Sequence, residues 1–140
     1  MRFMSMVKSS ENYRLGPPPQ SLMEAMDQLG QEMTKAGVMV DMGGLLPSSM
    51  GGYRVRLSNG KLTVTDGPFA EAKEVIGGYA VFDVKTKEEA MDLTMRFMEL
   101  HRKHWPEWEG ECEVRQMFEG EGCPDAETSA ASCAQPAVAP

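Results

Sequence analysis

The sequence lacks a basic excess, a long apolar run and a leader pattern. Its 140 residues contain 14 Lys and Arg against 21 Asp and Glu, a formal charge of −7. This balance argues against a nucleic-acid partner, because nucleic-acid-binding proteins normally carry a basic surface. No apolar run approaches the ~20 residues that span a bilayer, so no membrane partner is expected. Residues 1–8 show no signal-peptide pattern, and we expect a cytoplasmic protein.

Motifs of metal and cofactor sites are also missing. The three cysteines form no CxxC pair, so the sequence predicts neither a zinc site nor a disulfide framework. It contains no Walker loop, Rossmann glycine pattern, HExxH or G-x-S-x-G motif. We therefore expect no metal and no cofactor.

The acidic residues that are present are unevenly spread. Residues 119–140 contain four acids and no base, so they carry −4 and residues 1–118 carry −3. The same segment is rich in Ala, Ser and Pro and has no apolar periodicity, so it buries too little surface to offset its conformational entropy. We predict one folded domain over 1–118 and a disordered acidic tail over 119–140.

The first part of the domain predicts a strand, a helix and a second strand. Residues 2–7 alternate between two faces, which is typical of a strand. Ser21 and Glu24 match the S-x-x-E capping box at the start of an amphipathic helix. Gly37 is placed to end that helix in a left-handed conformation. Residues 38–40 then predict a short strand that the following glycine pair breaks.

The centre of the chain predicts a β-hairpin. Residues 53–57 and 62–65 each alternate between apolar and polar side chains. Asn59 and Gly60 lie between them and favour the positive φ angles of a type I′ turn. A polar loop over residues 66–78 is expected to follow.

The last part predicts a strand, a helix and a final strand. Residues 79–84 are almost continuously apolar, and Thr86 and Glu89 form a second capping box. Pro106 ends any helix before it, and residues 112–118 alternate as a last strand.

Together these elements predict an α+β fold of the ferredoxin-like βαββαβ type with an inserted β-hairpin. Two helices would cover one face of the sheet. The residues of the other face are mixed apolar and charged, which suits a second subunit with a partly polar cavity between the two sheets. We therefore expect a homodimer.

The segment Asp66-Gly67-Pro68-Phe69-Ala70-Glu71-Ala72-Lys73-Glu74 resembles the signature of the YciI-like, or DGPF-domain, family of small bacterial proteins. Shorter matches follow the family pattern in the same order, at residues 36–38, 44–48, 77–79, 87–90 and 113–115. The resemblance covers about residues 1–118 and implies a dimeric α/β barrel.

The resemblance implies less about activity. It points to a small-molecule enzyme, and some members occur beside extracytoplasmic-function sigma factors. Short relatives carry a His–Asp pair whose His lies near the first helix. The first His here is His101, so that pair is not carried over.

The signature itself supplies three candidate residues. Asp66 either caps the turn or acts as a pocket base. Glu71 and Lys73 form either a solvated charge cluster or, as the resemblance implies, part of a pocket in which Lys73 pairs with an anionic substrate group.

Two histidines lie near the end of the second helix. His101 and His104 are three residues apart, but a third ligand is missing and Arg102 and Lys103 would repel a cation. No metal site is therefore predicted, and basic residues suit a helix C-terminus. His101 shares a stripe with Phe97 and is the better candidate for a general acid or base.

Charges on the last strand are the remaining candidates. Arg115 and Glu113 share one face of a strand expected to be central, where charges are costly unless they are paired or face a cavity. Arg115 either pairs with a carboxylate across the sheet or anchors a substrate carboxylate, and Arg2 joins the same cluster.

The sequence has 13 methionines, mostly on predicted core stripes. They pack as adaptable core side chains or shape a cavity for varied apolar ligands.

Two hypotheses follow. The first is a cofactor-independent enzyme that acts on a small anionic or phenolic molecule by proton transfer, isomerisation or elimination. In it Asp66, Glu71 or His101 moves the proton while Arg115, Lys73 and Arg2 hold the anion. The alternative is a non-catalytic small-ligand-binding or regulatory dimer linked to sigma-factor or stress control.

Overall fold

A computed structural model describes residues 1–11, 15–69 and 73–119. The prediction for the tail beyond residue 119 and the role of Glu71 lie outside these residues. The elements are β1 (Arg2–Ser9), α1 (Gln20–Lys35), β2 (Met39–Gly44), β3 (Tyr53–Ser58), β4 (Lys61–Asp66), β5 (Val75–Asp83), α2 (Lys87–His104) and β6 (Glu111–Gln116).

Four strands form one antiparallel sheet in the order β2-β5-β1-β6. Strands β3 and β4 form a separate two-stranded sheet. Without that hairpin the order is that of a ferredoxin-like fold, so the predicted α+β class with an inserted hairpin is confirmed. Asn59 and Gly60 have φ angles of 51° and 75°, which confirms the type I′ turn.

Both helices pack on one face of the four-stranded sheet, which we call the helix face. Its core consists of buried side chains from β1, from β5 and the residue after it, and from the two helices: Phe3, Leu29, Met33, Phe82, Val84 and Ala90. Full burial of such side chains contributes ~1.5–3 kcal/mol for each of the larger ones. No helix in the described ranges is long and apolar enough to cross a membrane.

The opposite side of the sheet, which we call the open face, carries no helix in the described part of the chain. Strand alternation and the register of the three pairings decide which side chains it presents. They include Arg2, Met4, Met6 and Lys8 of β1, Asp41 of β2, Tyr79, Val81 and Asp83 of β5, and Glu111, Glu113 and Arg115 of β6.

The structure corrects the predicted start of α1 and confirms that of α2. Helix α1 begins at Gln20 after Pro19, and no side chain caps it, so the capping box at Ser21 was wrong. The carbonyl of Pro19 accepts hydrogen bonds from Leu22 N and Met23 N instead, each at 3.1 Å. In α2 the Thr86 hydroxyl does accept a hydrogen bond from the Glu89 N–H, at 3.1 Å.

Two strand boundaries also differ from the prediction. Gly43 and Gly44 do not break β2, because they pair with Tyr79 and Gly78 of β5. A Cβ on Gly43 would lie 3.0–3.3 Å from the Tyr79 ring, so glycine permits this close pairing. Strand β5 begins at Val75, before the predicted start at Tyr79.

The prediction that the last strand, β6, is central in the sheet was also wrong. Among the described strands it pairs with β1 alone, so it lies at the edge of the four-stranded sheet rather than in its centre.

Candidate functional site

A cavity of about 800 Å³ lies between the helix face and the two helices. Its volume is in the range of small-molecule sites, which are concave and mostly apolar. One part of its wall consists of methionines from α1 and β2, namely Met23, Met26, Met33, Met39 and Met42.

Helix α1 and strand β2 approach each other closely at one point of the methionine wall. A Cβ on Gly30 of α1 would lie 3.1 Å from the Met42 sulfur, so the helix and the strand approach closely there. Methionine side chains are unbranched and polarisable, and they adapt to ligands of different shape. This placement supports the interpretation of the methionines as walls of an adaptable cavity.

An aromatic cluster at the end of α2 forms another part of the wall. The His101 ring lies 4.6 Å from the Phe97 ring and 4.6 Å from the Trp108 ring, measured between centroids. Trp105 stacks on Trp108 at 6.3 Å. All four side chains line the cavity, and His101 is only 7% exposed.

His101 is held in one orientation by the backbone. Its Nδ1 lies 3.0 Å from the Phe97 carbonyl oxygen, so we assign the proton to Nδ1, which donates to that oxygen. The lone pair is then on Nε2, and the Nδ1 contact is the hydrogen bond found for the ring among the described residues. No fully buried side-chain nitrogen or oxygen lacks a partner in that part of the chain, so Nε2 is accessible from one of the two spaces. Burial lowers the pKa of His101, and the bond to Phe97 opposes this only partly. The imidazole is therefore neutral near neutral pH and able to accept a proton.

His101 also borders a second, smaller cleft of about 360 Å³. Met98, Arg102, Pro106 and Glu109 form part of its wall. The imidazole thus contributes to the walls of both spaces.

A polar cluster lies at the rim of the cavity. The Glu11 carboxylate accepts hydrogen bonds from Ser48 N at 2.6 Å and from Ser48 Oγ at 2.5 Å. Ser48 Oγ in turn accepts one from Phe69 N at 3.1 Å. The cluster therefore joins the end of β1, the loop after β2 and the D-G-P-F segment.

Sequence reasoning missed Glu11, which lines the cavity rim. The sequence contained one indication of this cluster, because Ser48 lies in the segment 44–48 that matches the family pattern. The two residues are 37 positions apart, and no short-range spacing relates them.

The predicted site residues fall into separate places. Of the five that lie in the described part of the chain, His101 alone lines the cavity, and Glu71 lies outside the described residues. Asp66 lies exposed at the end of β4, opposite Tyr53, and Lys73 is exposed after the segment that is not described.

Arg2 and Arg115 lie on the open face, so the sheet separates them from His101. Arg115 is opposite Met4 and Arg2 is opposite Asp83, which makes the two arginines diagonal neighbours on adjacent strands. Within residues 1–11, 15–69 and 73–119, Arg115 makes no ion pair, so the cross-sheet carboxylate, the first of the two alternatives for Arg115, is not found there.

No group of three or more His, Cys, Asp or Glu side chains able to hold a metal ion occurs in the described residues.

The family model of the YCII-related domain matches residues 1–100. A comparison with curated proteins found no significant match. The matched range runs from β1 into α2 and includes the 66–74 signature, and the strand order is ferredoxin-like. The chain belongs to the YCII-related domain family.

Proposed function

We propose that the chain binds a small, mostly apolar organic molecule with an acidic hydroxyl group in the cavity, and that His101 exchanges a proton with it. The observation that carries the proposal is a neutral imidazole in the wall of a largely apolar cavity of about 800 Å³. A buried group with a shifted pKa in a cleft is typical of sites of proton transfer.

The geometry suits His101 as a base. Nε2 takes a proton from the hydroxyl or from an acidic C–H of the bound molecule. The imidazolium that forms still donates from Nδ1 to the Phe97 carbonyl, and this hydrogen bond strengthens when its donor is charged. The mostly apolar walls make a separate imidazolium costly, as the lowered pKa of His101 shows, but they also strengthen its attraction to an anion beside it. The proton therefore moves only to form an ion pair with the bound molecule. Proton transfer, isomerisation and elimination without a cofactor are the reactions this arrangement serves.

A second candidate function is non-catalytic binding of a small ligand, including a regulatory role. The methionine wall favours it, because such a wall accepts varied apolar shapes without a defined reaction geometry. The two functions differ in whether His101 exchanges a proton with the bound molecule.

The probe 4-nitrophenol tests both candidates, because its phenolate is yellow and its neutral form is not. Binding is expected to quench the fluorescence of Trp105 and Trp108, which line the cavity. At a pH where free 4-nitrophenol is mostly neutral, the neutral Nε2 of the wild-type protein should increase the fraction of bound 4-nitrophenol that is yellow. His101→Phe keeps an aromatic ring between Phe97 and Trp108 but removes the base, so quenching should persist and the colour should not appear.

His104→Phe is the matched control, because His104 is on the same helix turn and lines neither space. It should behave as the wild type does. Equal colour in His101→Phe and wild type refutes proton exchange and leaves the binding function. Absence of quenching in the wild type refutes the cavity as the site.

The anion-binding role of Arg2 and Arg115 stays a prediction, and it now concerns the open face. We propose that a second copy of the chain covers this face. The half-buried side chains of Met4 and Met6, which lie there beside charged residues, favour such a contact. Met6→Lys should then lower the mass measured by sedimentation, and an unchanged mass would contradict this dimer.

A further inference from the structure

The cavity has one closed end and one open end. Its closed end is formed by the aromatic cluster around His101, which is only 7% exposed. Elsewhere five apolar side chains line the cavity and are nevertheless exposed, and we call them the cavity mouth. They are Met23 (48% exposed), Met42 (49%), Leu45 (51%), Leu46 (70%) and Ile76 (44%). Grouped apolar side chains that contact water normally mark a place where another molecule binds.

The two ends lie toward opposite edges of the four-stranded sheet. A Cβ on Gly110 would collide with the Trp108 ring and lie 2.8 Å from the Lys8 carbonyl oxygen, so the ring that stacks on His101 lies on the β1–β6 side. Met42 belongs to β2 at the other edge, and the loop with Leu45 and Leu46 follows that strand. Neighbouring strands are ~4.8 Å apart, so two or three strand spacings, about 10–14 Å, separate the two ends.

The space between the two ends is apolar as well. Ala80 of β5, the strand between β2 and β1, lines it together with Leu29 of α1 and Leu93 of α2. A molecule that consists of one ring and reaches His101 leaves the part toward the mouth unfilled. An aliphatic chain removes that surface from water without needing a polar partner.

We propose that the natural ligand carries an aliphatic chain, which runs from a hydroxyl-bearing ring at His101 to the cavity mouth, where Leu45 and Leu46 cover its outer end. The ligand class is therefore that of phenols with an alkyl substituent opposite the hydroxyl. This inference rests on the proposed function, because it takes the acidic hydroxyl to lie at His101. The unbranched methionines of the wall adapt to a flexible chain of this kind.

Two carboxylates determine how the chain ends. Asp27 lies one helix turn after Met23 of the mouth, and both Asp27 and Glu11 line the cavity. The lining contains no Lys or Arg in the described part of the chain. A negative charge at the outer end of the ligand would be repelled there and would find no cation to pair with it. The outer end is therefore a methyl or another uncharged group.

The test is a series of probes with an increasing chain: 4-methylphenol, 4-butylphenol and 4-hexylphenol, measured by isothermal titration calorimetry. Each methylene that moves from water into the cavity should strengthen binding about two- to fourfold. The Kd should therefore fall at least about 30-fold over the five methylenes from 4-methylphenol to 4-hexylphenol. Equal affinity for the three probes would overturn the proposal.

Leu46→Ser tests the position of the chain. It should weaken binding of 4-hexylphenol at least about fivefold and that of 4-methylphenol less than about twofold, since only the long chain reaches the mouth. Leu57→Ser is the matched control, because Leu57 is 69% exposed, as Leu46 is 70% exposed, but does not line the cavity. It should change neither affinity. Equal effects of the two substitutions on 4-hexylphenol would contradict the assigned position.

A charged probe tests the outer end. We expect 6-(4-hydroxyphenyl)hexanoate to bind at least about tenfold more weakly than 4-hexylphenol, because its carboxylate meets the acidic residues at the mouth. Asp27→Asn should narrow this difference about threefold and leave the affinity for 4-hexylphenol within about twofold of wild type. An unchanged difference in Asp27→Asn would overturn the placement of the chain end beside Asp27.

The chain series and the colour of 4-nitrophenol can fail separately. If wild-type protein increases the yellow fraction of 4-nitrophenol but binds the three alkylphenols equally, the chain site is overturned and the proton exchange stands. If affinity rises with chain length and Leu46→Ser removes the gain, but the yellow fraction does not increase, the chain site is supported and proton exchange at His101 is refuted.

Discussion

The two faces of the four-stranded sheet differ in what they bury and in the chemistry they support. Consecutive residues of β1 alternate between them: Phe3 and Ser5 are buried on the helix face, while Met4 and Met6 are half-buried on the open face. The helix face provides a mostly apolar cavity with one imidazole in its wall. The open face provides arginines and carboxylates.

Electrostatic interactions have different strengths on the two faces. Lys8 on the open face lies 3.2 Å from Glu113 and 3.3 Å from Glu111, and these hydrogen bonds raise the pKa of its ammonium group. The side chains are 26–58% exposed, so water and salt screen the pairs. His101 lies where screening is weak. An imidazolium–anion pair is therefore held more strongly on the helix face than on the open face, although burial there makes each separate charge more costly.

The largest expected effect is on the free energy of unfolding, and it should differ between two neighbouring residues of β1. Phe3→Ala should lower the free energy of unfolding by ~3–5 kcal/mol, because it opens a cavity in the core. Met4→Ala should cost below about 1.5 kcal/mol, because Met4 already contacts solvent. Urea unfolding of both variants at low protein concentration measures the difference. Equal losses would contradict the assignment of the two faces.

An intermediate effect is expected on the pH dependence of the free energy of unfolding. Because the pKa of His101 is lowered in the folded protein, the unfolded chain binds the proton first as the pH falls below about 6.5. The stability that the neutral imidazole contributes is fully present above that pH and is lost between the unfolded and the folded pKa. One proton limits the slope to about 1.4 kcal/mol per pH unit.

Chemical unfolding of wild type and His101→Gln between neutral and mildly acidic pH measures this slope. The difference between the two proteins should shrink as the pH falls. A constant difference would show that the imidazole does not titrate differently in the folded state.

The smallest effect is expected from the open face. Arg115→Ala should change the affinity of the cavity for 4-nitrophenol by less than about twofold, because the sheet lies between them and the charge is solvated. Fluorescence titration measures the affinity. A tenfold or greater loss, about 1.4 kcal/mol, would indicate that the two faces contribute to one site.

The sequence predicted the elements whose signals are local. Asn59-Gly60 determines its own turn, and Thr86 with Glu89 determines the start of α2, because the interacting groups lie within four residues. The start of α1 was missed, since the carbonyl of Pro19 satisfies the first N–H groups and leaves Ser21 no capping role. Gly43 was read as a breaker because its close contact with Tyr79 exists only once β2 and β5 are paired.

The candidate site was less predictable for the same reason. Alternation predicted which residues of each strand share a face with Arg2 or with Arg115. Only the register of the paired strands shows that both arginines lie on the side of the sheet away from the helices. His101 was identified correctly as a residue of the apolar stripe of α2. The Glu11–Ser48 contact joins two loops, and no periodic pattern describes such a contact.

Gly67 lies where the base of the hairpin contacts the Ser48 loop at the rim of the cavity. A Cβ at this position would collide with the carbonyl oxygen of Ser48, so any larger residue must displace the base of the hairpin from the Ser48 loop. Ser48 is also held by Glu11 at the cavity rim. The absence of one carbon atom thus sets the angle at which the hairpin leaves the domain, and a change at Gly67 would alter both the direction of the hairpin and the rim of the cavity.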